Sequence, residues 1–276
     1  MNSKVSAYET IVKWIILIFV FSFSVVFSNL AIHGDQLLYI DVYEYMSTAN
    51  LRESYFYYSM KLSEIEFIHF FFSYLGGSIG FDKAVYMSIF NTILFYFGLK
   101  FLKSYGFPFS LAVIILLCNF YMYALMFSAE RLKFAFIFIF MFLSLRQESK
   151  KARVLALTLS VLSHVQSIVF YAAVFTENFI YGALRSLASL KIKKTFLIST
   201  PFVFMAVVYL IAPVSKKIVF YIAYYADNML LGVLKWFSFY VVTFLSSRNK
   251  KDVTIRFSIL LIPILDVGAD RLVLFC

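Results

Sequence analysis

The sequence predicts an all-α fold: a polytopic bundle of about nine transmembrane helices, with one short re-entrant or interfacial helix. Hydrophobic residues make up 62% of the 276 positions and charged residues only 14%, too little charge to cover the surface of a soluble domain. Apolar stretches of nearly twenty residues recur along the whole chain, as transmembrane helices require. We therefore expect a single integral-membrane domain over residues 1–276, surrounded by the lipid bilayer.

The first apolar run, residues 14–32, is too long for a signal-peptide core and is expected to remain as the first helix. Residues 34–66 follow as a tyrosine-rich loop whose six acidic and two basic residues give a net charge of −4. Cytoplasmic loops are enriched in lysine and arginine. This pattern predicts a cytoplasmic N-terminus and an external loop.

Residues 67–81 are apolar but short, and Gly76 and Gly77 interrupt them. The next span, 84–99, ends at two lysines that favour the cytoplasm. An external loop and an internal one are separated by an odd number of crossings, so we interpret 67–81 as the re-entrant or interfacial helix. Irregular backbone at that depth has to be shielded by protein.

The remaining spans follow from alternating apolar runs and basic loops. Residues 154–184 are expected to form two short helices that meet near His164, although a single long span is the alternative. The other predicted crossings are 107–128, 131–145, 195–213, 227–246 and 253–265. The chain ends at Cys276, where another inward helix is expected, so a truncated or atypical C-terminus is one interpretation.

Four groups of polar residues stand near the predicted outer face, where ionisable side chains usually face a wet cavity. Asp35, Tyr39 and Tyr43 recur every four residues and would share one helical face. An interfacial aromatic belt with ordinary loop acids explains them equally well. Near the end of the chain, Asp270 and Arg271 offer either an anion contact or a capped loop.

The segment "FSAERLKFAFIFIF", residues 127–140, places Glu130, Arg131 and Lys133 directly against two apolar runs. The planar fork of Arg131 suits a phosphate or pyrophosphate, and Glu130 could orient it or act as a base. Long side chains that reach the membrane surface from a helix end are the simpler alternative.

Ser160, His164, Ser167 and Tyr171 form a polar stripe at helical spacing. Such a stripe favours a lined cavity, in which neutral His164 could take a proton from a hydroxyl. A lone histidine is more often a packing residue.

The net charge of +10 sits in short clusters between apolar runs, which argues against a nucleic-acid partner. Two scattered cysteines and three scattered histidines give no metal-ligand spacing. The sequence also lacks a glycine-rich phosphate loop, a nucleophile elbow and a haem motif. We expect no metal and no cofactor.

Five segments in order, "GDQLLY", "EIEFIHFFFSYLG", "FSAERLKFAF", "LSHVQSIVF" and "GADRL", give the chain its resemblance to a known family. It resembles the Wzy/EpsG-type bacterial polysaccharide (O-antigen) polymerases over most of its length. The family's arginine after the fourth hydrophobic run matches Arg131, and its histidine matches His164. One departure is Phe67, because the family often has proline after the acid that matches Glu66.

The resemblance implies a multi-pass protein of the bacterial cytoplasmic (inner) membrane that transfers a growing glycan from undecaprenyl pyrophosphate to a lipid-linked repeat unit. Its partners would be the undecaprenyl-pyrophosphate-linked oligosaccharide and a chain-length regulator protein. The resemblance implies two sets of site residues. The base would be His164, Glu130 or Asp35, and the contacts to pyrophosphate and substrate would be Arg131, Arg271, Tyr39 and Glu66.

Three alternatives remain open at the level of sequence. A flippase for the same lipid-linked glycan would generally need more spans and charges near the membrane midplane. A membrane O-acyltransferase would need an early catalytic histidine with an acid, for which His33 and Asp35 are a faint match. A non-enzymatic membrane subunit would use the polar residues only as anchors.

Overall fold

A computed structural model describes residues 3–30, 32, 34–62, 66–145, 150–164, 167, 171, 237–238, 240–245, 247 and 254. Every regular element within these residues is an α-helix, so the predicted all-α class is confirmed there. The chain divides into two compact units, Met1–Ser167 and Ile168–Cys276. The predicted crossings 195–213 and 253–265, and most of 227–246, lie outside the described residues.

The helices described in the first unit have the following bounds: α1 Ser3–Leu30, α2 Asp35–Met46, α3 Leu51–Leu62, α4 Phe67–Ser78, α5 Lys83–Ser104, α6 Phe109–Cys118, α7 Phe120–Phe127, α8 Glu130–Ser144 and α9 Lys150–Ser163. In the second unit, residues 240–245 are helical. Two helical stretches are long and apolar enough to cross a membrane, Glu9–Leu30 and Lys83–Ser104, and the bent pair α6–α7 is a third if it counts as one span.

α1 and α5 are antiparallel neighbours. At one end, Lys103 Nζ lies 2.9 Å from Glu9 Oε2; at the other, Asn29 and Lys83 line the same cavity. The chain between the two helices therefore leaves and returns at one end, which we call the cluster end. α4 lies within this stretch, as expected for a helix that does not carry the chain across.

Residues 34–62, predicted to be a loop, form the helices α2 and α3 instead. Their tyrosines supply the apolar surface that a loop would lack: Tyr39, Met46, Tyr58 and Phe70 belong to one buried cluster shared with α4. The acidic character of the segment lies on the exposed side of these helices. Composition alone therefore does not distinguish a polar loop from two short helices that pack on a neighbouring helix.

The glycine pair does not interrupt α4, which continues to Ser78. A Cβ added to Gly77 would lie 3.0 Å from Met46 Cβ and 3.0 Å from the carbonyl oxygen of Tyr43. A Cβ added to Gly76 would overlap the hydroxyl of Tyr43. The two glycines therefore allow α4 to pack closely against α2.

The predicted crossing 107–128 is a pair of helices bent by 64°. The break lies at Asn119, whose extended backbone ends α6 and whose side chain accepts a hydrogen bond from Tyr121 N at 2.8 Å. The hydroxyl of Tyr123 donates to the carbonyl oxygen of Leu117 at 2.6 Å. These bonds satisfy polar backbone groups that a break in a helix exposes.

α8 runs alongside α5 in the same direction, since Phe134 packs on Phe90 and Phe140 on Phe101, with ring centroids 4.8 and 5.4 Å apart. α9 returns in the opposite direction and brings His164, the residue after Ser163, back to the cluster end. With 15 and 14 residues, both helices are shorter than the roughly 20 residues that a perpendicular crossing needs.

Candidate functional site

Ionisable side chains from four helices meet at the cluster end, and we call them the polar cluster: Glu66, His69, Lys83, Glu130, Arg131, Lys133 and His164, with Tyr39 against them. Several lie where a helix starts: Glu66 precedes α4, and Lys83 and Glu130 are the first residues of α5 and α8. The exposed backbone N–H groups of a helix start carry partial positive charge, so they favour the two carboxylates there. Local helix boundaries thus determine where the charges lie.

The first half of the cluster centres on Glu66, whose side chain is 2% exposed. Its Oε2 lies 3.4 Å from Arg131 Nε, and its Oε1 is paired with His164 Nδ1. Arg131 Nε also donates to the hydroxyl of Tyr39 at 3.1 Å. Burial by itself would raise the pKa of Glu66, but the hydrogen bond with His164 and the charge of Arg131 outweigh it and hold that pKa below its usual range.

The second half centres on Glu130, which is also buried. Its Oε1 forms an ion pair with Lys83 Nζ at 2.5 Å, and its Oε2 lies 3.6 Å from His69 Nε2. Lys83 also donates to Gln36 Oε1 at 3.1 Å, and His69 Nδ1 is hydrogen-bonded to the hydroxyl of Tyr58 at 2.9 Å. Each buried carboxylate therefore has a cation and a histidine beside it.

Lys133 is fully buried one helical turn below Glu130. Its ammonium group donates to Asn91 Oδ1 at 2.8 Å and to the carbonyl oxygen of Met126 at 3.4 Å. Met126 belongs to the last turn of α7, where a positive charge is favoured by the helix dipole. Lys133 thus ties α8 to α5 and to the end of the bent pair.

The polar cluster as defined contains three cations (Lys83, Arg131 and Lys133) and two carboxylates (Glu66 and Glu130), so one positive charge is in excess when both histidines are neutral. The side chains of Lys83 and Arg131 are each 16% exposed and that of His164 is 13% exposed. A substrate would reach these three first. A buried excess of positive charge with accessible cations suits an anionic ligand.

A cavity of about 580 Å³ opens beside the second half of the cluster, within the size range of ligand pockets. It lies between the end of α1, α2, the turn from α4 to α5, and the starts of α5 and α8. Its polar lining includes Asn29, Gln36, Glu44, Asp82, Lys83 and Glu130.

The structure brings together five of the seven site residues predicted from the sequence: Tyr39, Glu66, Glu130, Arg131 and His164. Asp35 is exposed at the start of α2, and the carboxylates at the centre of the cluster are Glu66 and Glu130. Arg271 lies outside the described residues, as do Asp270 and His33.

Of the predicted polar stripe around His164, the histidine joins the polar cluster, whereas two of the serines bond to backbone. The hydroxyl of Ser167 donates to the carbonyl oxygen of Ser160 at 3.1 Å, and that of Ser160 donates to Leu157. These serines satisfy backbone carbonyls near the end of α9, whereas His164 reaches the cluster.

Sequence reasoning missed Lys83, His69, Gln36 and Asn91. Two of them could have been found from the sequence: Lys83 is a charge at the start of an apolar span, and His69 is a titratable group inside an apolar run. Such groups are costly in a membrane and therefore indicate a functional position. Within the described part of the chain, no three histidine, cysteine or acidic side chains are grouped closely enough to hold a metal ion.

Comparisons of the chain with protein-family models, with curated proteins and with solved structures each give no match.

Proposed function

We propose that this protein is a polysaccharide (O-antigen) polymerase that transfers a growing glycan from undecaprenyl pyrophosphate to a lipid-linked repeat unit on the outer face of the bacterial cytoplasmic membrane. One observation supports the proposal most. Glu66, Arg131 and His164 come from three separate segments of the family resemblance, and Glu66 contacts both of the others although it is 98 positions from His164. In this assignment the N-terminus is cytoplasmic and the cluster end faces outward.

The reaction forms one bond and breaks one. The oxygen of an acceptor hydroxyl bonds to the anomeric carbon at the reducing end of the growing glycan. The bond between that carbon and the pyrophosphate oxygen breaks, and undecaprenyl pyrophosphate leaves with the bonding electron pair. The proton of the acceptor hydroxyl passes to a base on the enzyme.

His164 is the best-placed base of the three candidates. Donation from its Nδ1 to Glu66 leaves the imidazole lone pair on Nε2. Glu66 then orients the ring and stabilises the imidazolium that proton transfer creates. Glu130 is a poorer candidate because its carboxylate is already paired with Lys83 at 2.5 Å, and Asp35 is exposed on α2.

Arg131 is the residue that we assign to the leaving pyrophosphate. Charge builds up on this group as the glycosidic bond breaks, and fixed, partly desolvated donors stabilise it best. Guanidinium presents five N–H donors in a planar fork that matches phosphate oxygens. Its Nε is already oriented by Glu66 and Tyr39, which holds the fork in place.

The test is a gel profile of surface polysaccharide from the native host after deletion of the gene, with wild-type, Arg131→Ala or Arg131→Lys copies restored. We expect the deletion to lose the long ladder and keep carriers with one repeat. Wild type should restore the ladder, Arg131→Ala should not, and Arg131→Lys should do so only partly. Arg52→Ala, at an exposed arginine of α3, is the matched control and should restore the ladder fully.

An unchanged ladder in the deletion strain would overturn the polymerase assignment. Loss of even the single repeat would indicate a flippase instead. Full restoration by Arg131→Ala would point to a non-enzymatic subunit in which this arginine only anchors a helix.

A further inference from the structure

We propose that the cavity of about 580 Å³ beside Lys83 and Glu130 binds an uncharged sugar ring of the lipid-linked glycan. This inference rests on the proposed function, and it assigns the sugar and the pyrophosphate to two different places. The sugar lies in the cavity, whereas the pyrophosphate lies by Arg131.

The polar wall of the cavity holds hydrogen-bonding capacity that the protein does not use. Gln36 is 7% exposed, and its Nε2 has no hydrogen-bond partner among the described residues. The ammonium group of Lys83 has three N–H donors, and two of them serve Gln36 and Glu130. Glu130 Oε2 likewise forms no hydrogen bond in the described part of the chain, and the nearest side chain named beside it, His69, lies 3.6 Å away through Nε2. Donors and an acceptor therefore stand side by side.

That combination matches a hydroxyl-bearing ligand. Each sugar hydroxyl can donate one hydrogen bond and accept others, so a ring could take a bond from Lys83, whose side chain is 16% exposed. With a rotation of their buried side chains toward the cavity, Gln36 could donate a second bond and Glu130 could accept one. Leaving these buried groups unpaired is costly, whereas pairing them with a ligand recovers that cost. The same groups would not be satisfied by a purely apolar molecule such as a lipid chain.

The charges of the lining exclude the other obvious ligand. Lys83 is the one cation among the lining residues described, against the carboxylates of Glu44, Asp82 and Glu130. A pyrophosphate placed here would meet more negative than positive charge, unlike one placed at Arg131. The lining also includes the aromatic residues Tyr43, Phe81 and Phe127, and aromatic surface suits the apolar faces of a sugar ring.

The two places are adjacent. Lys83 Nζ and Arg131 Cζ each lie 5.9 Å from the ring centroid of Tyr39, and Glu130 and Arg131 are consecutive residues. A sugar in the cavity would thus be one aromatic ring away from the pyrophosphate position. This spacing suits a substrate in which sugar and pyrophosphate are directly bonded.

The test is a binding titration on the purified full-length protein in lipid nanodiscs with two probes. One is the undecaprenyl-pyrophosphate-linked single repeat that we expect the deletion strain to accumulate, and the other is undecaprenyl pyrophosphate without sugar. Gln36→Leu removes the amide groups at similar size, and Ala84→Phe places a large side chain at the cavity lining. Thr48→Val, an exposed polar-to-apolar change in the turn after α2, is the control.

Wild type should bind the glycan-bearing probe more tightly than the sugarless one. Gln36→Leu should weaken the glycan-bearing probe about fivefold, as expected for one or two lost hydrogen bonds, and Ala84→Phe should remove the preference altogether. Neither variant should change binding of the sugarless probe, which Arg131→Ala should weaken. The control should bind both probes like wild type.

Equal affinity of wild type for the two probes would overturn the sugar site. The sugar site would also be overturned if Gln36→Leu and Ala84→Phe both preferred the glycan-bearing probe as strongly as wild type does. Failure of the polymerase assignment has a different signature, an unchanged polysaccharide ladder after gene deletion. A glycan preference that depends on Gln36 in a protein whose deletion leaves the ladder intact would keep the sugar site and reject the polymerase.

Discussion

At the scale of single residues, the pairing of opposite charges lowers the free-energy cost of burying the ionisable side chains of the polar cluster. A lone charge in an apolar bundle costs several kcal/mol, whereas a charge with a partner and hydrogen bonds costs much less. Glu66 contacts Arg131 and His164, and Glu130 contacts Lys83 and His69. In all four pairs the nearest nitrogen and oxygen atoms lie within 3.6 Å of each other. Removing one member leaves its partner charged and unpaired, so single substitutions here act on more than one residue.

Glu66→Gln tests the role of the acid beside the proposed base. The variant keeps the shape but loses the charge that stabilises a protonated His164. Because a positioned general base contributes about 10²- to 10⁴-fold, we expect polymerisation of purified lipid-linked repeats to slow by roughly 100-fold. The measurement is the rate of ladder growth in a reconstituted assay.

The matched control is Glu53→Gln, at an exposed glutamate of α3, which should react at the wild-type rate. A Glu66→Gln rate within about threefold of wild type would rule out the His164–Glu66 pair as the base. A circular-dichroism melt of each variant separates lost chemistry from lost structure.

At the scale of helices, the site depends on close packing of short elements. α4 is only 12 residues long, so it is held by its neighbours more than by its own hydrogen bonds. Gly76 and Gly77 let it approach α2, and the break at Asn119 lets the end of α7 reach Lys133. These features position Glu66 and Lys133 without touching a substrate.

Gly77→Val tests the close approach of α4 and α2. The added side chain would begin 3.0 Å from Met46 Cβ and from backbone of α2, and neither can move cheaply. Overpacking of this kind typically costs about 1–3 kcal/mol. We therefore expect a lower melting temperature in nanodiscs and a weakened polysaccharide ladder.

Ser78→Ala, at the exposed last residue of α4, should melt like wild type. A Gly77→Val protein as stable as wild type would mean that α4 and α2 are not in close contact.

At the scale of the whole chain, the described helices of the first unit place charges at two ends. Glu9 and Lys103 lie at one end, whereas the polar cluster lies at the other. α1 and α5 are the two helical stretches long and apolar enough to cross alone in the described residues. The proposed function needs the cluster end on the outer face, where lipid-linked repeats are joined.

Cysteine labelling tests that orientation. In a background with Cys118→Ser and Cys276→Ser, we expect a membrane-impermeant thiol reagent added to intact spheroplasts to label Thr48→Cys but not Ser104→Cys. Both positions are exposed, and Thr48 belongs to the cluster end whereas Ser104 ends α5. Permeabilised cells should label both. Labelling of Ser104→Cys alone would invert the topology and place the cluster in the cytoplasm.

The sequence by itself determined the all-α class of the described residues and singled out much of the candidate site. Hydrophobicity and helix formation are local properties, so the apolar runs marked α1 and α5 and placed the start of α8 within one residue of Glu130. Resemblance and residue type singled out Glu66, Arg131 and His164, while the wider assignment to a polymerase stays a prediction. The tertiary structure alone decided that α2 and α3 pack on α4, that Asp35 stays exposed, and that Lys83 and His69 belong beside Glu130. Spacing along a helix determines which residues share a face, but the neighbour that the face meets depends on packing between segments far apart in the chain.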